Sequence, residues 1–190
     1  MQRNIGGILD RQDIILEHCT KDMEALELSL DIIDAGKQLR HQIISKAMDE
    51  LKVLLREKLG KNWIVKNEIS KAPGERDTRI WFWHNDWENY NIGLSPGSLN
   101  NRNYCFYVGS PQNDGKDEPE AKIDQKVTST LSNKFGGKAS NWSHWAKYSE
   151  SPYRYWDNKE SLLRLANGEG VKFLLKKLLL IKDTLEEVID

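Results

Sequence analysis

A chain of 190 residues that is 38% hydrophobic, with seven Trp, can build one buried core, either as a single domain or as a small domain with an appendage. At 30% charged residues and with no apolar run near the length of a spanning helix, it does not read as a membrane protein. A net charge of −1 excludes the strongly basic composition that marks many nucleic-acid binders.

The charge is unevenly placed. Residues 1–36 hold 3 basic and 8 acidic side chains, residues 37–61 hold 7 and 3, and residues 134–182 hold 10 and 4. Such blocks fit an acidic helix lying near basic ones, or separate charged surfaces for a partner. The start, MQRNIGGILDRQD, lacks the apolar region of a secretory signal. Cys19 and Cys105 lie far apart in apolar neighbourhoods, which reads as two buried thiols in a reducing, cytoplasmic setting.

In chain order, Ile15, Cys19, Met23, Leu26, Leu30 and Ile33 recur at steps of three and four and predict an amphipathic helix over about 8–34. Ala35-Gly36 is expected to interrupt it. Leu39, Ile43, Ala47, Leu51 and Leu54 then define a second helix stopped by Gly60, so residues 1–60 read as a helical hairpin or one long bent helix. Dimerisation through these helices is compatible with their spacing. Residues 61–190 are expected to form the α+β body.

Trp63, Val65, Asn67 and Ile69 alternate as a first strand. Ile80, Trp81, Phe82 and Trp83 are apolar on both faces, as in a central strand. Tyr90, Ile92 and Leu94, and then Tyr104, Phe106 and Val108, alternate with polar or small residues on either side of a turn-rich SPGSLNNRN, completing an antiparallel meander. QNDGKDEPE reads as a polar linker. Pro119 suits a first helical turn, and Ile123, Val127 and Leu131 predict a helix over about 119–134, ended by Gly136-Gly137. Residues 141–156 read as an aromatic loop. Asp157 and Glu160 resemble a capping box opening a short helix through Ala166. Val171, Leu174, Leu178, Ile181, Leu185 and Val188 mark a final helix packed on the sheet, with Leu180 among the residues widening its apolar face. The expected fold is therefore α+β: a helical hairpin, about four mainly antiparallel strands, and C-terminal helices on one face.

The chemistry-bearing residues are scattered. His18, His41, His84 and His144 fall one to a region, with no Cys or His at ligand spacing, so no metal and no cofactor is expected. His84 and Asp86 share a strand face, a pairing that reads as structural rather than as a base with its carboxylate. Glu120-Ala-Lys122 and Asp124-Gln-Lys126 match the acid-x-Lys spacing of metal-dependent nucleases, but both sit in predicted helix.

The binding signal lies in the aromatic loop. Trp142, His144, Trp145, Tyr148, Tyr153 and Tyr155 interleave with Lys147 and Arg154, a composition able to stack bases and neutralise phosphates, or else to fold inward and cap the sheet. Lys172, Lys176 and Lys177 add a basic stripe on the final helix, either a solvated face or a phosphate contact.

The succession ILEHCTKDMEALELSLDIID, KNWIVKNEI, IWFWHNDWENYNIGL and WSHWAKYSESPYRYWDNKESLLRLANGEGVKFLLKKL resembles the C-terminal half of a group of bacterial and phage PD-(D/E)XK nuclease-superfamily proteins. In that group the metal-binding carboxylates and Lys belong to an N-terminal domain, and no residue here matches them. The resemblance implies an accessory, non-catalytic half whose partner is a nucleic acid, RNA or single-stranded DNA, or a nucleoprotein complex. A stand-alone version would suit a phage or mobile-element inhibitor of a nucleic-acid-targeting defence system, including CRISPR, whose acidic first helix (Asp22, Glu24, Glu27, Asp31) engages a basic groove. A divalent-metal nuclease built on Asp124 and Lys126 is the enzymatic alternative.

Overall fold

Ile80, Trp81 and Phe82 are all buried, as a strand with no polar side requires, and the sheet grows from them. The computed structural model describes residues 11–76, 78–110, 123–140 and 142–189. Among these, six strands form one antiparallel sheet: β1 (Trp63–Asn67), β2 (Ile80–His84), β3 (Asn91–Ser98), β4 (Arg102–Gly109), β5 (Lys138–Ser140) and β6 (Ser143–Tyr148). Their order is β1-β2-β3-β4-β6-β5. The expected meander is β2-β3-β4, with β1 on one side.

The sheet has six strands rather than about four because Ser143 to Tyr148 of the aromatic stretch form one more strand and Lys138 to Ser140, just before it, form another. β6 pairs with β4 along Cys105 to Val108, and β5 folds back onto β6. The β3-β4 turn is tighter than expected. Pro96 and Ser98 stay in the ladder opposite Tyr104 and Arg102, and Asn100, Asn101 and Asn103 take up positive φ. Asn adopts that region more readily than other residues with a side chain.

The described residues also form five helices: α1 (Arg11–Cys19), α2 (Met23–Leu59), α3 (Gln125–Phe135), α4 (Lys159–Ala166) and α5 (Glu169–Ile189). The chain divides into two compact units, one up to Arg40 and one from His41 onward. In the second, Ile44, Met48, Leu51 and Leu55 of α2 join Val127 and Leu131 of α3, Leu165 of α4 and Val171 to Val188 of α5 in a single core. Val65, Phe82, Ile92, Val108 and Trp145 supply its sheet side. Val171, Leu174, Leu178, Ile181, Leu185 and Val188 are all buried, as their spacing predicts, whereas Leu180 is exposed.

The helix break lies elsewhere than expected. α2 runs unbroken through Ala35-Gly36, and the chain turns at Thr20 to Asp22 instead. There Thr20 caps α1 by donating its hydroxyl to the Leu16 carbonyl, and the Asp22 carboxylate accepts from the Ala25 N–H at 2.8 Å. One helical Gly costs only about 1 kcal/mol, which Ala35 and the good helix formers Lys37 to Arg40 outweigh. α3 likewise starts at Gln125; the predicted Pro119 start and the linker fall outside the described residues. α4 is capped by Asn158, whose side chain accepts from Ser161 N–H, while the expected cap Asp157 instead binds Arg102 at 2.6 Å. No helix of the described chain is long and apolar enough to cross a membrane.

Candidate nucleic-acid interface

Alternate residues of every strand point away from the core helices, and the register aligns them into rows. One row crosses all six strands: Lys66 (β1), Trp81 (β2), Gly93 (β3), Tyr107 (β4), Ala146 (β6) and Lys138 (β5). Five inter-strand steps of about 4.8 Å make it roughly 24 Å long. A lysine ends it on each side, and the two large rings alternate with small residues. Gly93 is small by necessity, because the Tyr107 ring lies across it and a Cβ there would come within 2.6 Å of the ring.

Cations already lie on these rings. Lys66 Nζ sits 5.5 Å from the Trp81 centroid and 5.2 Å from that of Trp83, and the Arg79 guanidinium lies 4.6 Å from Trp81. Trp142 meets Tyr107 edge-on at 5.2 Å. Trp81 and Tyr107 are buried beneath these neighbours yet belong to no part of the core cluster. They form the floor of the face, and the half-buried Trp83 and exposed Trp142 stand at its surface.

A second group stands one row away, where Ser95, Cys105 and Tyr148 align across β3, β4 and β6. The Arg154 guanidinium lies 4.4 Å from the Tyr148 centroid and 5.3 Å from that of Tyr155. Its Nε donates to Asn103 Oδ1 at 3.0 Å, which fixes the guanidinium plane. The segment is held by a Tyr104 N–H to Arg154 carbonyl bond and an Arg102–Tyr155 bridge. Burial pushes the Cys105 thiol up to about 11.

The aromatic stretch thus divides between two faces. Trp142, Tyr148 and Tyr155 are 44%, 51% and 37% exposed, and Tyr148 and Tyr155 flank Arg154. Trp145 is in the core with its indole N–H donating to the Gly136 carbonyl at 2.7 Å. Tyr153 is buried and stacks on Phe173 at 4.1 Å. Lys147 lies opposite Phe106 on the helix-covered face, near Lys177, which pairs with Glu150 at 2.8 Å. Lys172 and Lys176 are exposed on α5.

Sequence reasoning missed Lys66, Arg79 and Lys138, together with the outward-facing Trp81 and Trp83. The signal was the β1-β2 hairpin, whose register sets Lys66 opposite Trp81.

His144, buried, serves the helix side of the fold. Its Nδ1 accepts from Asp124 N–H at 3.2 Å, so Nε2 carries the proton that faces the Asn89 carbonyl at 3.3 Å. Asp124 caps α3, accepting from Lys126 N–H and Val127 N–H, and takes the Tyr90 hydroxyl at 2.6 Å. That hydroxyl bond, followed by the two backbone N–H groups, holds the Asp124 carboxyl below its ordinary value against a partial desolvation. Desolvation first, and then Asp124, push the Tyr90 hydroxyl up to about 12. Lys126 points elsewhere, its ammonium donating to the Val188 carbonyl. Glu120 and Lys122 lie outside the described residues. At the end of β2, His84 Nδ1 accepts from the Asp86 N–H at 3.3 Å, a turn contact. Among the described residues no group of three His, Cys, Asp or Glu side chains converges on a point where a metal ion would sit. Comparison of the chain with protein-family models, with curated proteins and with solved structures gave no match.

Proposed function

We propose that the protein is a non-catalytic binding module for single-stranded nucleic acid, RNA or DNA, held on the sheet face opposite the helices. One observation carries this reading: a transverse row with lysine at each end and aromatic rings between, flanked by the exposed Trp142, Tyr148 and Tyr155. Exposed rings offer stacking platforms to any base, and Lys138 and Arg154 supply charge for the backbone. Duplex, whose bases are already stacked, gains only the charge term. In line with the resemblance, such a module acts as the accessory half of a PD-(D/E)XK-type nuclease protein.

The test is a titration of labelled single-stranded RNA, single-stranded DNA and duplex over a range of salt. Two phosphate contacts at about 0.7 each give a log–log salt slope of about −1.4, and Lys138→Ala lowers its magnitude by about 0.7. Trp83→Ala and Tyr148→Ala each weaken binding by about 1–3 kcal/mol. Absence of salt-sensitive binding to all three nucleic acids removes the reading.

A second reading is a protein inhibitor of a nucleic-acid-targeting complex. It is favoured by the exposed Asp22, Glu24, Glu27 and Asp31 at the start of α2. Reversing these four charges then slows association with the target, while Lys147 and Arg154 variants leave it unchanged.

A further inference from the structure

Nine large apolar side chains between Ile14 and Leu39 are at least 45% exposed, all of them in the unit that ends at Arg40. Three of them lie on α1, and on α2 they fall on two opposite sides, Leu28, Ile32 and Leu39 on one and Met23, Leu30 and Ile33 on the other. On α2 the residues Met23, Leu26, Leu30 and Ile33 follow one another at steps of three and four, so they share one face of the helix. Met23, Leu30 and Ile33 are 78%, 54% and 53% exposed, and Leu26 is partly covered. The same face continues, at the same spacing, into Lys37 and Arg40.

The charge along this stretch says what fits it. From Met23 to Gly36 the helix carries Glu24, Glu27, Asp31 and Asp34 and no base; Lys37 and Arg40 follow. Two copies packed parallel would set Lys37 against Lys37 and Arg40 against Arg40 in the seam. Packed antiparallel about residue 32, they bring Lys37 of one copy level with Glu27 of the other, and Arg40 level with Glu24. Leu30 then meets Ile33, and the aliphatic stems of Lys37 and Arg40 cover Leu26 and Met23 while their charged ends reach out to the acids. The exposed Asp34–Lys37 contact at 2.8 Å within one copy is compatible with this, because it holds Lys37 beside the seam.

We infer that this face of α2 binds a second copy of the chain, the two helices running antiparallel over Met23 to Arg40. The paired stretch is about 27 Å long at 1.5 Å per residue, only five turns, so the dimer is reversible rather than permanent. The paired residues all belong to α2, and none of them is a strand residue.

Sedimentation equilibrium of the full chain over a dilution series tests it. The native chain populates a dimer that dissociates on dilution. Leu30→Glu and Ile33→Glu each weaken association by more than about tenfold, with helicity unchanged by circular dichroism. Leu28→Glu, on the opposite side of the helix, leaves it intact. Orientation is read in a Cys19→Ser background: Met23→Cys and Arg40→Cys chains cross-link to one another when mixed and not to themselves. A native chain that stays monomeric overturns the inference. So does a dimer that survives Leu30→Glu, or self-cross-linking of Met23→Cys. Capture of a different protein by the native arm, with no self-association, does the same.

Discussion

Asp124 shows how one carboxylate is committed to structure. It caps α3, takes the Tyr90 hydroxyl, and its backbone N–H is held by His144. Asp124→Ala removes the cap and costs about 1 kcal/mol, whereas Asp124→Asn keeps an acceptor and costs less; thermal or urea unfolding of both variants measures this. The folded carboxyl titrates below the unfolded value of about 3.9. Its stabilisation is therefore complete above that unfolded value and is lost as pH falls through the folded one. Acid unfolding of the native chain carries this contribution, and in Asp124→Ala that part of the pH dependence disappears. A nuclease built on this residue would instead show magnesium- or manganese-dependent cleavage that Asp124→Asn abolishes, and a cleavage assay separates the two roles.

At the scale of elements, legibility followed the strength of the pattern. The final helix was readable because six apolar residues recur at its period, and β2 because Ile80 to Trp83 leave no polar side. β5 was not, since Lys138, Ala139 and Ser140 carry no apolar alternation at all. β6 hid its period because Trp145 and Lys147 share a face, so its aromatics read as a loop. The binding face was half legible. Tyr148, Arg154 and Tyr155 lie close together in sequence, while Lys66 and Lys138 reach the row only through strand pairing. Gly36 misled for a different reason, since it is a weak point in a helix that neighbouring residues hold together. Nothing lies within 4 Å of where its Cβ would be, so Gly36→Ala meets no clash. The substitution raises helicity and adds about 0.5–1 kcal/mol, visible by circular dichroism and thermal unfolding.

At the scale of the whole molecule, the two units differ in what they bury. Every residue of the core cluster lies at or beyond Ile44, whereas the described residues up to Arg40 contribute none. The fragment from His41 to Asp190 therefore folds by itself and unfolds in one cooperative transition, as a calorimetric scan of the fragment checks. It retains the whole sheet face, so its affinity for a short single strand equals that of the full chain. On a strand long enough for two copies the full chain binds tighter, because pairing turns the second contact into an intramolecular one.

The borders of the sheet have their own consequence. β5 is three residues long with an exposed lysine, and β1 is five residues long with the exposed Lys66 within it. Short, charged margins give an incoming backbone little to zip onto. Growth of a cross-β fibril by edge addition is thus disfavoured at both margins of the sheet.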